Sequence, residues 1–425
     1  MNPNIPISSK KRVVIIGGGF GGLQLAKSIS LEQFQVVLID KNNFHQFQPL
    51  FYQVATAGLE PSSIAFPFRK VFQKQSEIII RLGKVENIVP KEKRIITSIG
   101  PISYDHLIIA TGADTNYFGN QEIEANAIPM KSISEALNLR NVLFQRFEDA
   151  LLLSNDEERK AYLSIVIVGG GPTGVEVAGT LAEMKRFILP KDFPEMDFSA
   201  MQIILLEGSP NVLNAMHEQS SMKARKYLEK LGVDVRTGTV VTAYDGHTAQ
   251  LKDETCIETK TLVWAAGICG NLLPGLNDAS YSPSKRLYVD EFNQVIGHEN
   301  IYAIGDIAHM ESIEFPKGHP QMAQPAIQQG KNLAKNISKK ELEKDLTPFR
   351  YKDLGSMATV GRNKAVVELP NAKFQGFFAW ILWLVVHLKS ILGVRNKFLV
   401  LINWIWNYIT YNLSLRLIIQ PVKKK

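Results

Sequence analysis

The run KRVVIIGGGFGGLQLAKSI begins at Lys11, and far along the chain nearly the same phrase recurs as LSIVIVGGGPTGVEVAGTLAEM from Leu163. Each copy is an apolar, β-branched stretch that meets three glycines and passes into helical spacing, the pattern of a strand, a tight turn and a helix. The first fits G-x-G-x-x-G at Gly17, Gly19 and Gly22, and the second at Gly169, Gly171 and Gly174. Glycine is needed three times: to turn sharply, to let the backbone approach a pyrophosphate, and to let helix and strand pack closely. The free N–H groups at the helix start then face negative charge. Glycine-rich turns also arise for purely structural reasons, so the flanking strands decide. After the first copy FQVVLID ends at Asp40, and after the second MQIILLEG ends at Glu207, each placing an acid where a ribose hydroxyl would sit. The second interval is longer; its surplus, RFILPKDFPEMDFS, carries two prolines and predicts an irregular crossover. Two dinucleotide sites are expected.

A chain of 425 residues has room for two or three domains. The only cysteines are Cys256 and Cys269, which make neither a disulfide framework nor a Cys-x-x-Cys pair nor a zinc cluster. They are expected to be structural thiols in a reducing compartment, with no metal site. The opening MNPNIPISSKKR has no apolar core of a signal peptide, which predicts a cytoplasmic bulk.

The net charge of +7 is unevenly spread. From Asn371 onward there are Lys373, Lys389, Arg395, Lys397, Arg416, Lys423, Lys424 and Lys425 and no acid. Four of the five tryptophans, Trp380, Trp383, Trp404 and Trp406, lie in the same tail. The clean apolar run from Phe377 to Val386 is too short to span a bilayer, which takes roughly 20 residues. Farther on, Phe398, Leu401, Ile402, Ile405 and Ile409 follow helical spacing, with Asn403, Asn407 and Thr410 largely elsewhere. Basic residues with interfacial aromatics predict a helix lying in the headgroup layer of an anionic inner leaflet. A nucleic-acid surface is not expected, since these basic residues stand among bulky aliphatics.

Three further short strands close on small-residue turns: YDHLIIATGA, TKTLVWAAGI and ENIYAIGDIAHM. With the paired glycine motifs, they make the chain resemble the flavoproteins with two dinucleotide-binding domains. Within these it is similar to the type II NADH:quinone oxidoreductases, through FHQFQPLFYQVATAGLEP at 44–61, GPTGVEVAGTLAEM at 171–184 and AQPAIQQG at 323–330. One departure is Asp40, where many relatives carry Glu; a shorter acid still accepts from a ribose.

The resemblance implies an α/β fold with two Rossmann-like domains and a C-terminal amphipathic membrane-anchoring domain. The FAD domain would be discontinuous (1–120 and 290–345), with the NADH domain (121–289) inserted and the membrane domain at 346–425. FAD would be held by Gly17, Gly19, Phe20, Gly21, Gly22, Asp40, Lys41, Val85, Ala110, Thr111, Gly112, Asp306 and Ala323, with Asp306 of YAIGD on the ribityl chain. NADH would be held by Gly169, Gly171, Pro172, Gly174, Glu207, Ala266 and Gly267. The implied activity is non-pumping electron transfer from NADH through FAD to a membrane quinone, by a peripheral protein on the cytoplasmic side of the cell inner membrane. Glu176 is the candidate carboxyl near the flavin and quinone head; Gln324 and Gln328, one helical turn apart, are candidates to hydrogen-bond a quinone carbonyl. His45, Gln48 and Pro49 are further candidates, and a homodimer through the C-terminal domain is the assembly considered. Two other functions compete. A sulfide:quinone oxidoreductase would need Cys256 and Cys269 as reactive thiols, and a flavin-bearing NADH sensor or interaction protein would need no quinone.

Overall fold

The computed structural model describes residues 2–411 and 415–419. The chain divides into two compact units: the first comprises residues up to 46, 66–114 and 268–353, the second 47–65, 115–267 and 354 onward.

At the centre of the first unit is a five-stranded parallel sheet in the order Ile301–Ala303, His106–Ile109, Lys11–Ile16, Phe34–Asp40, Ile79–Leu82. Parallel strands covered on both faces read as unbroken apolar runs, and Val13 to Ile15 and Val36 to Ile39 have no exposed surface. Strand order reverses at Lys11–Ile16, where the chain goes on to Phe34–Asp40 on one side and later returns as His106–Ile109 on the other, and ligands of such sheets sit outside the carboxyl ends at that switch. The helices Phe20–Ser28 and Ala323–Glu341 pack side by side where glycines let them approach; a Cβ on Gly330 would stand 2.6 Å from the Gly21 carbonyl oxygen. An antiparallel sheet, Val85–Val89, Arg94–Thr97 and Ile102–Ser103, adds Val85, Ile88, Ile95 and Ile102 to the same core as Val14, Val37 and Leu107.

The second unit repeats this plan. Its parallel sheet runs Ile128–Pro129, Thr261–Trp264, Ser164–Val168, Gln202–Glu207, Asp234–Thr237, again with the motif strand at the reversal. It too carries a three-stranded antiparallel sheet, Val241–Tyr244, Thr248–Leu251 and Cys256–Glu258. The duplication seen in the glycine motifs therefore extends to a sheet and its companion ribbon, and the expected α/β architecture with two Rossmann-like sheets is the one adopted. The crossover before Gln202 is more helical than its prolines suggest. The motif helix spans Pro172–Phe187, and a single turn at Leu189–Asp192, with Pro190 in its first positions, and a 3-10 turn at Phe198–Ala200 follow.

The C-terminal part of this unit is an antiparallel sheet, Ser356–Thr359, Ala365–Leu369 and Ala372–Gly376, followed by helices Phe377–Ser390 and Val394–Thr410. The sheet meets the Pro172–Phe187 helix at Gly179, where a Cβ would stand 2.9 Å from the Gly361 nitrogen. Among the described residues no helix is long and apolar enough to cross a membrane.

The last helix is inverted relative to a helix of a water-soluble core. The apolar stripe Phe398, Leu401, Ile402, Ile405 and Ile409 points outward, Ile409 with 73% of its surface exposed. The inward face carries Val400 and polar groups: the Asn396 amide donates to the Ser62 and Ser63 carbonyls (2.8 and 3.2 Å), the Asn407 amide to Gly58 (3.2 Å), and the Trp404 indole to Gln53 Oε1 (2.8 Å). Phe377, Phe378, Ile381 and Val385 of the preceding helix are likewise exposed. Of the basic residues counted in the tail, Arg416 is paired with Asp192, and Lys423, Lys424 and Lys425 lie outside the described residues.

Candidate active site

The first glycine cradle is built as its sequence requires. Gly17 has φ +100°, and a Cβ there would run into the carbonyl of Ala110; one on Gly22 would run into the carbonyl of Gly17. At Gly19 nothing lies within 4 Å of a Cβ position, so the backbone at the helix start stands open to a ligand. Asp40 ends the next strand with both oxygens engaged: Gly18 N–H donates to Oδ2 and Asn42 N–H to Oδ1, each at 2.7 Å. Burial raises its pKa, and these two donors oppose the rise. Each carboxylate oxygen keeps a lone pair for a hydroxyl.

His45, three percent exposed, braces this loop: its Nδ1–H donates to the Gly18 carbonyl (3.0 Å), and its ring meets Phe20 edge-on at 5.0 Å. Burial lowers its pKa to about 4, so it is neutral at pH 7. The Ala110–Gly112 turn is tied to Asn271, whose carbonyl accepts from Thr111 Oγ1 (2.8 Å) and whose N–H donates to Gly112 (3.1 Å). Val85 is buried and Lys41 exposed. Asp306 sits in a 3-10 turn, Gly305–Ile307, whose Gly305 N–H donates to Gln329 Oε1 (2.7 Å), while its own carbonyl accepts from Gln321 Nε2 (3.0 Å).

The second cradle repeats the first position by position, with Glu207 in the place of Asp40. Gly169 has φ +110° against the backbone of Ala265, and a Cβ on Gly174 would strike the Gly169 carbonyl. Gly171 faces open space, and Pro172 follows as the first helical residue. Glu207 accepts Gly170 N–H on Oε2 (2.5 Å) and Ser209 N–H on Oε1 (2.6 Å). The turn at Ala266 and Gly267 (φ +86°) lies beside an aromatic wall: Tyr117 stacks on Trp264 at 6.0 Å, and Phe118 leans over Gly267. That wall was not read from the sequence, because nothing in local spacing ties 117–118 to 264.

The third feature is an apolar cavity of about 520 Å³ within the second unit, walled by the two C-terminal helices, Tyr52, Gln53 and one face of the Pro172–Phe187 helix. Glu176 is buried against that wall. Its Oε1 accepts a long hydrogen bond from Thr359 N–H (3.4 Å), and the nearby Trp383 indole N–H also favours the ionised form. Desolvation outweighs both, and the carboxyl pKa stands well above its ordinary value. His387 stacks on Trp383 at 3.9 Å and donates from Nδ1 to its carbonyl (2.8 Å); burial lowers its pKa to about 4. Sequence reasoning singled out Glu176 but not Thr359, Trp383 or Tyr52, which come near it from distant segments.

Gln324 and Gln328 lie at the start of the Ala323–Glu341 helix, in the other unit. Gln328 holds Lys352 through both ends of its amide, donating to the carbonyl at 2.8 Å and accepting the N–H at 3.0 Å, so its nearest partner is this backbone segment. Gln329, which the sequence reading passed over, is the buried one of the group. Gln48 and Pro49 form a 3-10 turn leading into Phe51–Ala55.

Residues 11–330 match the family model of pyridine nucleotide-disulphide oxidoreductases, and 354–410 match that of the NDH2 C-terminal domain. A type II NADH:quinone oxidoreductase, NdhA of Mycobacterium tuberculosis, is 38% identical over 94% of this chain and 87% of its own length. The chain belongs to the type II NADH:quinone oxidoreductases. An external NADH-ubiquinone oxidoreductase from Saccharomyces cerevisiae mitochondria is 29% identical over 93% of the chain and 80% of its own length. The structure of NDH2 from Plasmodium falciparum in complex with NADH shares the fold, with a TM-score of 0.89 at 23% identity over 97% of this chain and all of that one.

Proposed function

We infer that the protein is an FAD-dependent NADH:quinone oxidoreductase that works at a membrane surface without pumping protons. The observation that carries this is the pair of matching glycine cradles, each closed by an acid held on two backbone N–H groups, in a member of the type II family. FAD, when bound, supplies the two-electron chemistry that links NADH to quinone. In this proposal 1–120 with 290–345 forms the FAD domain, 121–289 the NADH domain and 346–425 the membrane domain. Gly17, Gly19, Phe20, Gly21 and Gly22 would take the FAD pyrophosphate on the first-motif helix, with Asp40 and Lys41 at the ribose and Val85, Ala110, Thr111, Gly112, Asp306 and Ala323 along the rest. Gly169, Gly171, Pro172 and Gly174 would do the same for NADH, with Glu207 on its adenosine ribose and Ala266 and Gly267 beside the chain.

The apolar cavity would admit the quinone. Glu176, kept protonated by burial, would hold a proton for it, and Gln324 and Gln328 remain the amides proposed for a quinone carbonyl. The outward apolar stripes of the last two helices, flanked by Lys389, Arg395 and Lys397, support docking on the anionic inner leaflet of the cell inner membrane from the cytoplasmic side. A homodimer contact is proposed in the same C-terminal domain. Steady-state NADH oxidation measured with and without a soluble quinone tests the function: quinone should accelerate it strongly. Oxidation indifferent to quinone would instead mark an NADH sensor with incidental turnover.

A further inference from the structure

Turning a quinone into a quinol consumes two protons, and a cavity lined by aromatic and aliphatic side chains does not let water supply them freely. Glu176 is one carboxyl at its wall. Among the described residues that line the cavity itself there is one more, Glu183, and one permanent charge, Arg362. Glu176 and Glu183 are seven residues apart on the Pro172–Phe187 helix, which returns them to the same face two turns on, with a rise of about 10 Å. Thr180 lies between them and also lines the cavity.

We propose that Glu183 is the second proton donor of quinone reduction, facing the cavity from the same side of the helix as Glu176. The proposal rests on the quinone reading of this cavity and deepens it. In the step, the electron pair comes from NADH through FAD; the Glu183 O–H bond breaks as an O–H bond forms on a quinone oxygen; and the carboxylate left behind is reprotonated from water. Glu183 is half-buried whereas Glu176 is buried, so it is the one of the pair with access to solvent.

The surroundings suit an acid that must hold a proton and then lose it. Burial raises the Glu183 pKa, while the Arg362 N–H, which donates to Oε1 at 2.5 Å, and the charges of Arg362 and Lys364 pull it back. Those same groups are in place to receive the carboxylate. The Arg362 guanidinium itself donates to the carbonyls of Asn407 and Tyr408 at the end of the last helix. Other charged or titratable groups facing this corner are Tyr52 from the Phe51–Ala55 helix, Tyr408 from the last helix, and Lys230 and Arg186 beside Lys364.

The test uses rapid mixing of the holoenzyme first with NADH and then with a soluble short-chain quinone, for the parent, E183Q, E183D and E183A. Glutamine keeps the acceptor for the Arg362 N–H but has no acidic proton to give, so packing and proton transfer separate. E183Q should be reoxidised about tenfold more slowly or worse, with a larger solvent deuterium effect and without the parent's loss of rate as pH rises through the elevated carboxyl pKa. E183D should recover most of the rate, formate should rescue E183A, and an infrared band of a protonated carboxyl should be missing from E183Q. Reoxidation of E183Q at the parent rate with the parent pH profile would overturn the proposal. So would an E183A enzyme that is slow yet unmoved by formate, with the infrared band unchanged in E183Q. A parent enzyme that quinone fails to reoxidise would be a failure of the quinone reading itself, seen without any variant.

Discussion

Glu207 and Asp40 show how much one side chain can decide. Each binds two backbone N–H groups, and each is proposed to accept from a ribose hydroxyl as well, a structural clip and a ligand group at once. A 2′-phosphate would meet the Glu207 charge, and NADH should exceed NADPH by at least roughly tenfold in kcat/KM, about 1.4 kcal/mol. Glu207→Gln should narrow that gap in steady-state assays; equal use of both coenzymes by the parent would contradict the role. The buried histidines make a pH prediction. His45 and His387 have folded pKa values near 4, below the ordinary 6.5, so the unfolded chain binds more protons between those limits. Stability is therefore full above about pH 6.5 and is lost as pH falls toward 4, by on the order of 3 kcal/mol for each histidine at the low end. Thermal unfolding followed from pH 7 to pH 4.5 should show the decline, with a shallower slope in His45→Gln. The glycines and acids of both cradles were legible because they act within one strand-turn-helix unit. Thr359, Trp383 and Arg362 were not, because they reach the Glu176 helix from more than 170 residues away. Glu183 did leave a signal, its seven-residue spacing from Glu176, and only the cavity gives that spacing a meaning.

At the scale of elements, the last helix was recognisable as amphipathic from its period, but the pattern does not say which side faces the protein. The answer lies in hydrogen bonds to a segment far away in sequence: Asn396 to Ser62 and Ser63, Trp404 to Gln53, and Asn407 to Gly58 turn the polar side inward. The aliphatic stripe is left outside, which for a water-soluble helix would be a liability and for a headgroup-layer helix is the binding surface. Paired glutamates at Phe398 and Ile405 should therefore cut vesicle co-sedimentation severely while leaving the unfolding midpoint nearly unchanged, since both sites are exposed. Val400→Ala, on the buried side, should do the reverse and lower stability by about 1 to 3 kcal/mol. If the glutamate variant still pellets with anionic vesicles like the parent, the outward stripe is not the docking surface.

The molecule as a whole is a duplicated device with one added surface. Each unit has its own five-stranded parallel sheet, three-stranded companion and glycine cradle at the reversal of strand order; the cradles and Rossmann-like sheets follow from reading the same phrase twice in the chain, the companions do not. What the repeat cannot convey is how the copies differ in use, which depends on the segments grafted onto each: Asp306, Gln329 and the Ala323–Glu341 helix in one unit, the C-terminal sheet and helices in the other. Used together, the two copies are proposed to let one chain take electrons from NADH and pass them to a quinone through FAD held by the first cradle. The most direct measurement is an anaerobic absorption titration of the FAD-loaded protein, first with NADH and then with a soluble quinone. The flavin bands should bleach stoichiometrically with NADH and return in full on adding quinone. A flavin that NADH bleaches but quinone cannot restore, or a folded protein that takes up no FAD, would contradict this proposal.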